Sequence, residues 1–161
     1  MVKKLYLVRH AKASNSAASD FQRPLTAEGE RLARHLGKWI DQQEIVIDLI
    51  ISSTALRAKT TAELINESLG KSNIKQDQEL YEASVRTFLR SVNAISDEYG
   101  NAMMVAHNPA ITYLAEYVTG APMVGMEPGS MAMITFSELD WAEIGEKTGS
   151  LDRYLSPVEF T

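Results

Sequence analysis

The sequence predicts an α/β fold, in the form of a three-layer α/β/α sandwich with a mostly parallel central sheet. Short apolar runs alternate along the chain with segments whose apolar residues recur at helical spacing. This alternation is typical of a parallel sheet that is covered by helices on both faces. The 161 residues are 45% hydrophobic and 23% charged, as is ordinary for a globular chain with one core. No repeat, low-complexity segment or long linker divides them, so we expect a single domain over residues 1–161.

The first elements are a buried strand, a polar loop and an amphipathic helix. Residues 3–8, which end in the apolar run Leu5-Tyr6-Leu7-Val8, predict the strand, and the polar residues 11–24 predict the loop. Thr26 is a candidate N-cap, because its hydroxyl can accept a hydrogen bond from the first helical turn. The helix is then predicted to run to about residue 42 by four apolar residues at helical spacing: Leu32, Leu36, Trp39 and Ile40.

Strands and helices continue to alternate after this helix. Apolar runs predict strands at 46–51, 74–76, 102–106, 131–136 and 151–155. Apolar residues at helical spacing predict helices at 54–68 and 85–100. Pro109 fits the first turn of a last helix that ends near residue 118, because the N–H that proline lacks has no helical partner there.

Basic and imidazole side chains follow three of the predicted strands. Arg9 and His10 end the first strand, Arg57 follows the second after a short polar stretch, and His107 ends the strand at 102–106. Ligands of open α/β sheets bind at the carboxyl ends of the strands. We therefore expect these four side chains to converge on one anion.

The residue types at these positions suit phosphoryl transfer. A neutral imidazole presents a nucleophilic lone pair near pH 7, provided that its other ring nitrogen is held by a hydrogen bond, often to a backbone carbonyl. Arginine stabilises the charge that develops on phosphoryl oxygens better than lysine does, because its planar guanidinium can engage two oxygens. His10 is therefore the candidate nucleophile, with Arg9, Arg57 and His107 as phosphate-binding residues.

Four motifs in order along the chain carry a family resemblance. They read Leu-Val-Arg-His-Ala-Lys, Arg-Pro-Leu-Thr-x-x-Gly, Ser-Ser-x-x-Leu-Arg-Ala-x-x-Thr-Ala-Glu and Val-x-His-Asn-Pro. Together they resemble the histidine phosphatase superfamily, and the short chain with Arg-His-Ala-Lys resembles its SixA-type phosphohistidine phosphatase branch. The resemblance implies that His10 is transiently phosphorylated and that Arg9, Arg57 and His107 bind phosphate. Ala11 stands where the common family motif has glycine, a change that removes no catalytic group.

The resemblance also points to a general acid. Glu82, in Leu80-Tyr81-Glu82, matches a Leu-x-Glu of many relatives in which the carboxylate protonates the leaving oxygen. A solvated glutamate before a helix is the alternative, and Asp20 in the polar loop is a second candidate. A protonated phosphohistidine leaves as a neutral imidazole, so such a substrate requires no acid at all.

Three other groups of residues are not expected to take part in the reaction. Lys12 and Arg23 are expected at the pocket mouth or on a partner surface, with a solvated loop as the alternative. His35 lies in a helical pattern and is expected to be structural. Core filling is expected of four methionines: Met123, Met126, Met131 and Met133.

The function predicted from these residues is a metal-independent phosphatase that needs no cofactor. Its expected substrate is protein phosphohistidine, because brief segments between the elements leave an open pocket. A small-molecule phosphomonoesterase is the alternative, and a phosphoglycerate-mutase-like enzyme or a non-catalytic phospho-ligand binding module is a weaker one. A divalent-metal hydrolase is disfavoured, because Arg9 and Arg57 would repel the cation beside His10 and His107.

Composition excludes several other classes. The chain has no cysteine, which excludes disulfides and thiol catalysis. A net charge of −5 disfavours non-specific nucleic-acid binding. No segment has the apolar length of a membrane span or the pattern of a signal peptide, so we expect a cytoplasmic protein with no membrane partner.

A monomer or weak homo-oligomer is expected.

Overall fold

The computed structural model describes residues 1–70 and 72–161. The strands are β1 (Lys3–Arg9), β2 (Leu49–Ser53), β3 (Asn73–Asp77), β4 (Asn101–Ala106), β5 (Met131–Phe136) and β6 (Ser150–Leu155). The α-helices are α1 (Ala27–Gln42), α2 (Leu56–Leu69), α3 (Val85–Asn93) and α4 (Ala110–Thr119), and 3-10 turns lie at Gln78–Leu80, Trp141–Glu143 and Pro157–Glu159. Within the described residues, no helix combines the length and apolarity that crossing a bilayer requires.

The six strands form one sheet in the order β3-β2-β4-β1-β5-β6. β3, β2, β4 and β1 are parallel, whereas β5 and β6 run antiparallel at one side. The predicted mostly parallel sheet is therefore confirmed. β1 lies inside the sheet, and this position explains the apolar run Leu5-Tyr6-Leu7-Val8, since both faces of the strand are covered there.

Helices cover both faces of the sheet and complete the predicted three layers. Leu5 and Leu7 of β1 pack in a core that includes side chains of α3 and α4. Tyr6 and Val8 point to the other face, in a core with side chains of α1 and α2. The methionine prediction is also confirmed, because Met126 and Met131 are buried and Met123 and Met133 pack against the cores.

The start of α1 is as the sequence predicts. The Thr26 hydroxyl accepts a hydrogen bond from the Gly29 N–H at 3.0 Å. Gly29 itself is required by close packing, because a Cβ added there would lie 2.1 Å from the Lys12 carbonyl oxygen. The second quoted motif, which contains both residues, thus anchors α1 against the backbone that follows β1.

The predicted bounds of two elements were wrong. β2 was expected at 46–51 but spans 49–53, because its serines pair with β3 and β4 while Val46 is exposed. The helix expected to end near residue 100 ends at Asn93. The Asn93 side-chain amide donates to the backbone carbonyls of Trp141 and Ile144, and these bonds hold the helix end against a distant turn that its own sequence does not reveal.

Candidate active site

The predicted strand ends meet at one edge of the sheet. β2, β4 and β1 are adjacent and parallel, with Arg9 aligned to Ala106 and Ser52 aligned to Val105. The residues that follow these positions therefore lie side by side. The ring centroids of His10 and His107 are 5.3 Å apart.

The His10 ring is held in one tautomer. Its Nδ1 lies 2.8 Å from the Ala11 carbonyl oxygen, which can only accept, so Nδ1 donates and the neutral ring keeps its lone pair on Nε2. The Ala11 N–H donates to Thr61 Oγ1 at 3.0 Å, and the buried Thr61 hydroxyl donates to the Arg57 carbonyl at 2.7 Å. Thr61 thus ties α2 to the backbone beside His10.

The pKa of His10 is lowered to about 4, mainly by burial and also by the positive charges of Arg57, Arg9 and Arg23, against the opposing effect of the hydrogen bond to the Ala11 carbonyl. Burial, followed by the nearby His10 and Arg57, lowers the pKa of His107 to about 3. Both rings are therefore neutral at physiological pH. A neutral His10 is the form that can act as a nucleophile.

These pKa shifts predict a titration that NMR can measure. At pH 5 His10 should still be about 90% neutral, whereas an ordinary imidazole of pKa about 6.5 is about 3% neutral. The ring signals of His10 and His107, assigned from spectra of His10→Ala and His107→Ala, should thus move only below pH 5. Because the unfolded chain takes up these protons first, the free energy of unfolding should fall as the pH falls from about 6.5 towards 4. A midpoint near 6.5 for His10 would contradict this environment.

Arg57 is buried at the first turn of α2 and contacts the loop after β1. It is 7% exposed, and its two terminal nitrogens donate to the Asp20 carbonyl oxygen at 2.7 Å and to Asp20 Oδ2 at 3.1 Å. The Tyr81 hydroxyl also donates to Asp20 Oδ2, at 2.6 Å. Tyr81 in turn lies edge-on to the His107 ring, with the centroids 5.8 Å apart.

These contacts make Asp20 a poor proton donor in this arrangement. The hydrogen bonds from Tyr81, Arg23 and Arg57 hold the pKa of the Asp20 carboxyl well below its usual range. Conversely, the hydrogen bond to Asp20 raises the pKa of Tyr81 to about 12. An ionised carboxylate of this kind holds Arg57 in place but cannot protonate a leaving group near pH 7.

Arg9 is oriented by a closed hydrogen-bond network. Its Nη1 donates to the Met126 carbonyl at 2.8 Å, and the Asn108 amide donates to the same oxygen at 3.0 Å. The Thr112 hydroxyl donates to Asn108 Oδ1 at 2.6 Å and accepts from the Met126 N–H at 3.0 Å. Residues of α4 and of the segment before β5 thus fix the direction of a guanidinium on β1.

His107 is positioned by the end of β2. Its Nε2 lies 2.8 Å from the hydroxyl oxygen of the buried Ser53, and that oxygen accepts a hydrogen bond from the Ala55 N–H at 3.3 Å. When the Ser53 hydroxyl donates to Nε2, the neutral ring carries its N–H on Nδ1. The third quoted motif therefore contributes a positioning hydroxyl besides Arg57.

Buried polar atoms without a partner concentrate at this site. Within residues 1–70 and 72–161, five buried side-chain nitrogen or oxygen atoms have no hydrogen-bond partner, and three of them are Arg9 Nε, Arg57 Nε and His107 Nδ1. Leaving such a group unpaired is costly, so native proteins avoid it outside functional sites. The arrangement is suited to a tetrahedral oxyanion beside His10.

Glu82 lies near His107 but is less constrained. The residue is exposed, has a left-handed φ of 52°, and lines the same cleft as His107. A non-glycine residue at positive φ is uncommon and occurs most often in turns or functional segments. Among residues 1–70 and 72–161, the Glu82 carboxylate has no hydrogen-bond or ion-pair partner that would hold it in one position.

The other singled-out residues lie outside the anion site. Lys12 is exposed and pairs with Glu28 at 3.0 Å. Arg23 holds the loop together through the Ser14 carbonyl at 2.9 Å and Asp20 at 3.1 Å. His35 is half-buried on α1.

Sequence reasoning missed several positioning residues. Ser53, Thr61 and Asn108 stand inside the quoted motifs, and their positions there are the signal by which they could have been found. No sequence pattern could have identified Tyr81 or the Met126 carbonyl as positioning groups. A single aromatic residue is not distinctive, and every residue has a backbone carbonyl.

Comparison with known proteins gives consistent matches. The model of the histidine phosphatase superfamily (branch 1) matches residues 5–90. An uncharacterised protein of Mycobacterium leprae is 31% identical over 119 residues, 71% of this chain and 72% of that protein. Phosphohistidine phosphatase SixA of Escherichia coli is 27% identical over 141 residues, 83% of this chain and 86% of that protein. The structure of the protein histidine phosphatase SixA complexed with tungstate has a TM-score of 0.84 at 25% identity, covering 98% of this chain and 99% of that chain.

Proposed function

The chain belongs to the histidine phosphatase superfamily, in its SixA-type branch, and from that premise we propose that it removes phosphate from phosphohistidine residues of proteins through a phosphorylated His10. Membership of this family supports phosphatase activity. The identity of the substrate and the role of each residue are our proposals.

One observation carries the proposal. His10 presents a lone pair on Nε2. The His107 ring lies 5.3 Å from the His10 ring between centroids, and the guanidinium groups of Arg9 and Arg57 are close enough for their charge to lower the His10 pKa. A phosphoryl group attacked by His10 would offer these donors its oxygens. Donors fixed before the reaction stabilise the charge of the transition state without the cost of reorienting.

The proposed reaction has two displacements. In the first, His10 Nε2 forms a bond to phosphorus while the bond from phosphorus to the substrate nitrogen breaks, and the protonated substrate imidazole leaves neutral. In the second, water attacks the phosphorus of phosphorylated His10, the bond to Nε2 breaks, and inorganic phosphate departs. Arg9, Arg57 and His107 hold the phosphoryl oxygens in both steps.

Two findings support a protein substrate. The first is the similarity to proteins described as phosphohistidine phosphatase and protein histidine phosphatase, the second of them bound to tungstate, a tetrahedral oxyanion. The second is the brevity of two of the segments beside the pocket, since residues 54–55 separate β2 from α2 and 107–109 separate β4 from α4, whereas the segment 10–26 between β1 and α1 is longer. Short segments leave room for a side chain that is still attached to a protein.

A substrate panel tests this proposal together with the role of Glu82. The panel compares a phosphohistidine peptide, an alkyl phosphate and an aryl phosphate, each with the wild-type protein and with Glu82→Gln. We expect the peptide to be the best substrate and to be turned over at nearly the same rate by Glu82→Gln, because its leaving group needs no acid. The alkyl phosphate reaction should slow by about 10²–10⁴-fold, the usual effect of removing a general acid, and the aryl phosphate should lie between.

Other results would assign different roles. A strong preference for the alkyl or aryl phosphate over the peptide would instead identify a small-molecule phosphomonoesterase. Equal and large losses on all three substrates would mean that Glu82 positions the site. No loss on any of them would make Glu82 a solvated surface residue.

A further inference from the structure

An apolar cleft opens directly beside the phosphate-binding site. It lies between the N-terminal parts of α3 and α4 and has a volume of about 510 Å³. His107 and Asn108 form one end of it, so the cleft is continuous with the site that holds His10. A group that reaches the cleft must be attached to the substrate close to the transferred phosphoryl group.

The lining of the cleft offers no charged partner to a second anionic group on the substrate. Its walls are mainly apolar, with Val85, Phe88, Pro109 and Tyr113 among them, and Glu82 stands at its edge. No lysine or arginine is present among its described lining residues. A further phosphate or carboxylate would therefore find no cationic side chain to pair with among these residues. Pockets of this size with few polar groups bind apolar groups.

We propose that this cleft binds an apolar side chain, aromatic or branched aliphatic, that neighbours the phosphohistidine on the substrate protein. This proposal rests on the proposed function, since it specifies the class of protein sequence which that function acts on. The phosphoryl group binds Arg9, Arg57 and His107, while the neighbouring side chain buries its surface against Val85 and Tyr113. The phosphate-binding residues then select the phosphohistidine, and the apolar cleft selects the type of residue beside it.

Tyr113 provides the test, because it forms a wall of the cleft without supporting the fold. The residue is 54% exposed on α4. Tyr117 lies one turn further along the same helix, is 40% exposed and does not line the cleft. Making the same substitution at Tyr113 and at Tyr117 therefore compares a position inside the proposed subsite with one outside it on the same helix.

The experiment measures kcat/KM on chemically phosphorylated histidine peptides in which one residue within four positions of the phosphohistidine is Ala, Leu or Phe. Free phosphohistidine, which has no neighbouring side chain to place in the cleft, is the reference substrate. With the wild-type protein we expect Leu or Phe at one position to be preferred over Ala by about tenfold, the discrimination an apolar pocket commonly provides. Tyr113→Glu should abolish this ratio and leave hydrolysis of free phosphohistidine within about twofold, whereas Tyr117→Glu should keep both. The Tm of each variant checks the fold.

Three outcomes would overturn the proposal. One is a wild-type protein that hydrolyses the peptides without preferring an apolar neighbour at any position. Another is a ratio lost equally in Tyr113→Glu and Tyr117→Glu, which would assign recognition to the whole helix face. A wild-type protein that hydrolyses neither the peptides nor free phosphohistidine would overturn the proposed function and this subsite with it.

Discussion

Replacing His10 by Ala is expected to abolish turnover and covalent labelling. In the wild-type protein, brief incubation with labelled substrate and an acid-free quench should trap phosphate on His10 as an acid-labile, base-stable adduct. Loss of the nucleophile should lower kcat by about 10⁶-fold, as removal of a covalent nucleophile does in a serine protease. The remaining donors, Arg9 and Arg57, would still bind substrate, so KM should change far less than kcat.

His35→Ala is the matched control for this experiment. His35 follows an arginine as His10 does but lies half-buried on α1, away from the strand ends. This variant should label and turn over like the wild-type protein. Turnover that persists in His10→Ala, or label that appears on another residue, would reject His10 as the nucleophile.

Arg9→Lys and Arg57→Lys are each expected to cost about 2–4 kcal/mol of transition-state stabilisation, measured as the fall in kcat/KM. The magnitude is that of losing one preorganised donor in other enzymes. Lysine keeps the charge but cannot both hold the Met126 carbonyl, as Arg9 does at 2.8 Å, and present a second nitrogen to phosphate. Arg57 likewise binds Asp20 through its terminal nitrogens and keeps Nε unpaired among the described residues.

Arg34→Lys serves as the control for these two variants. Arg34 is about half exposed on α1 and pairs with Glu67 at 3.2 Å, so the exchange should leave kcat/KM unchanged. Arg57 is buried, so the Tm of Arg57→Lys separates a lost donor from a disturbed fold. Wild-type rates in a folded Arg9→Lys or Arg57→Lys would place that arginine outside the phosphate site.

Much of the site's framework could be predicted because it depends on local patterns. The apolar runs before His10 and His107 identify two strands, and parallel strands necessarily bring their carboxyl ends to one edge of the sheet. Thr26 and Gly29 likewise act within a few residues of their own position, so the start of α1 was predictable. The roles of these residues in catalysis remain predictions that the experiments above address.

What could not be predicted depends on contacts between distant segments. The end of α3 at Asn93 follows from carbonyls about 50 residues further along the chain. The Asp20 carboxylate accepts hydrogen bonds from Arg57 and Tyr81, which lie 37 and 61 residues further along the chain. These contacts lower the pKa of Asp20 and so disfavour it as a proton donor. The sequence of the loop around Asp20 does not indicate them.

By itself, therefore, the sequence determined the order of strands and helices and the residue types at the strand ends. Both depend only on the spacing and type of residues that are close together in the chain. Only the tertiary structure decided that His10 and His107 are neutral, that the Met126 carbonyl directs Arg9, and that an apolar cleft adjoins the site. Burial and hydrogen-bond partners arise where separate segments pack together. They are properties of the folded chain and of no segment alone.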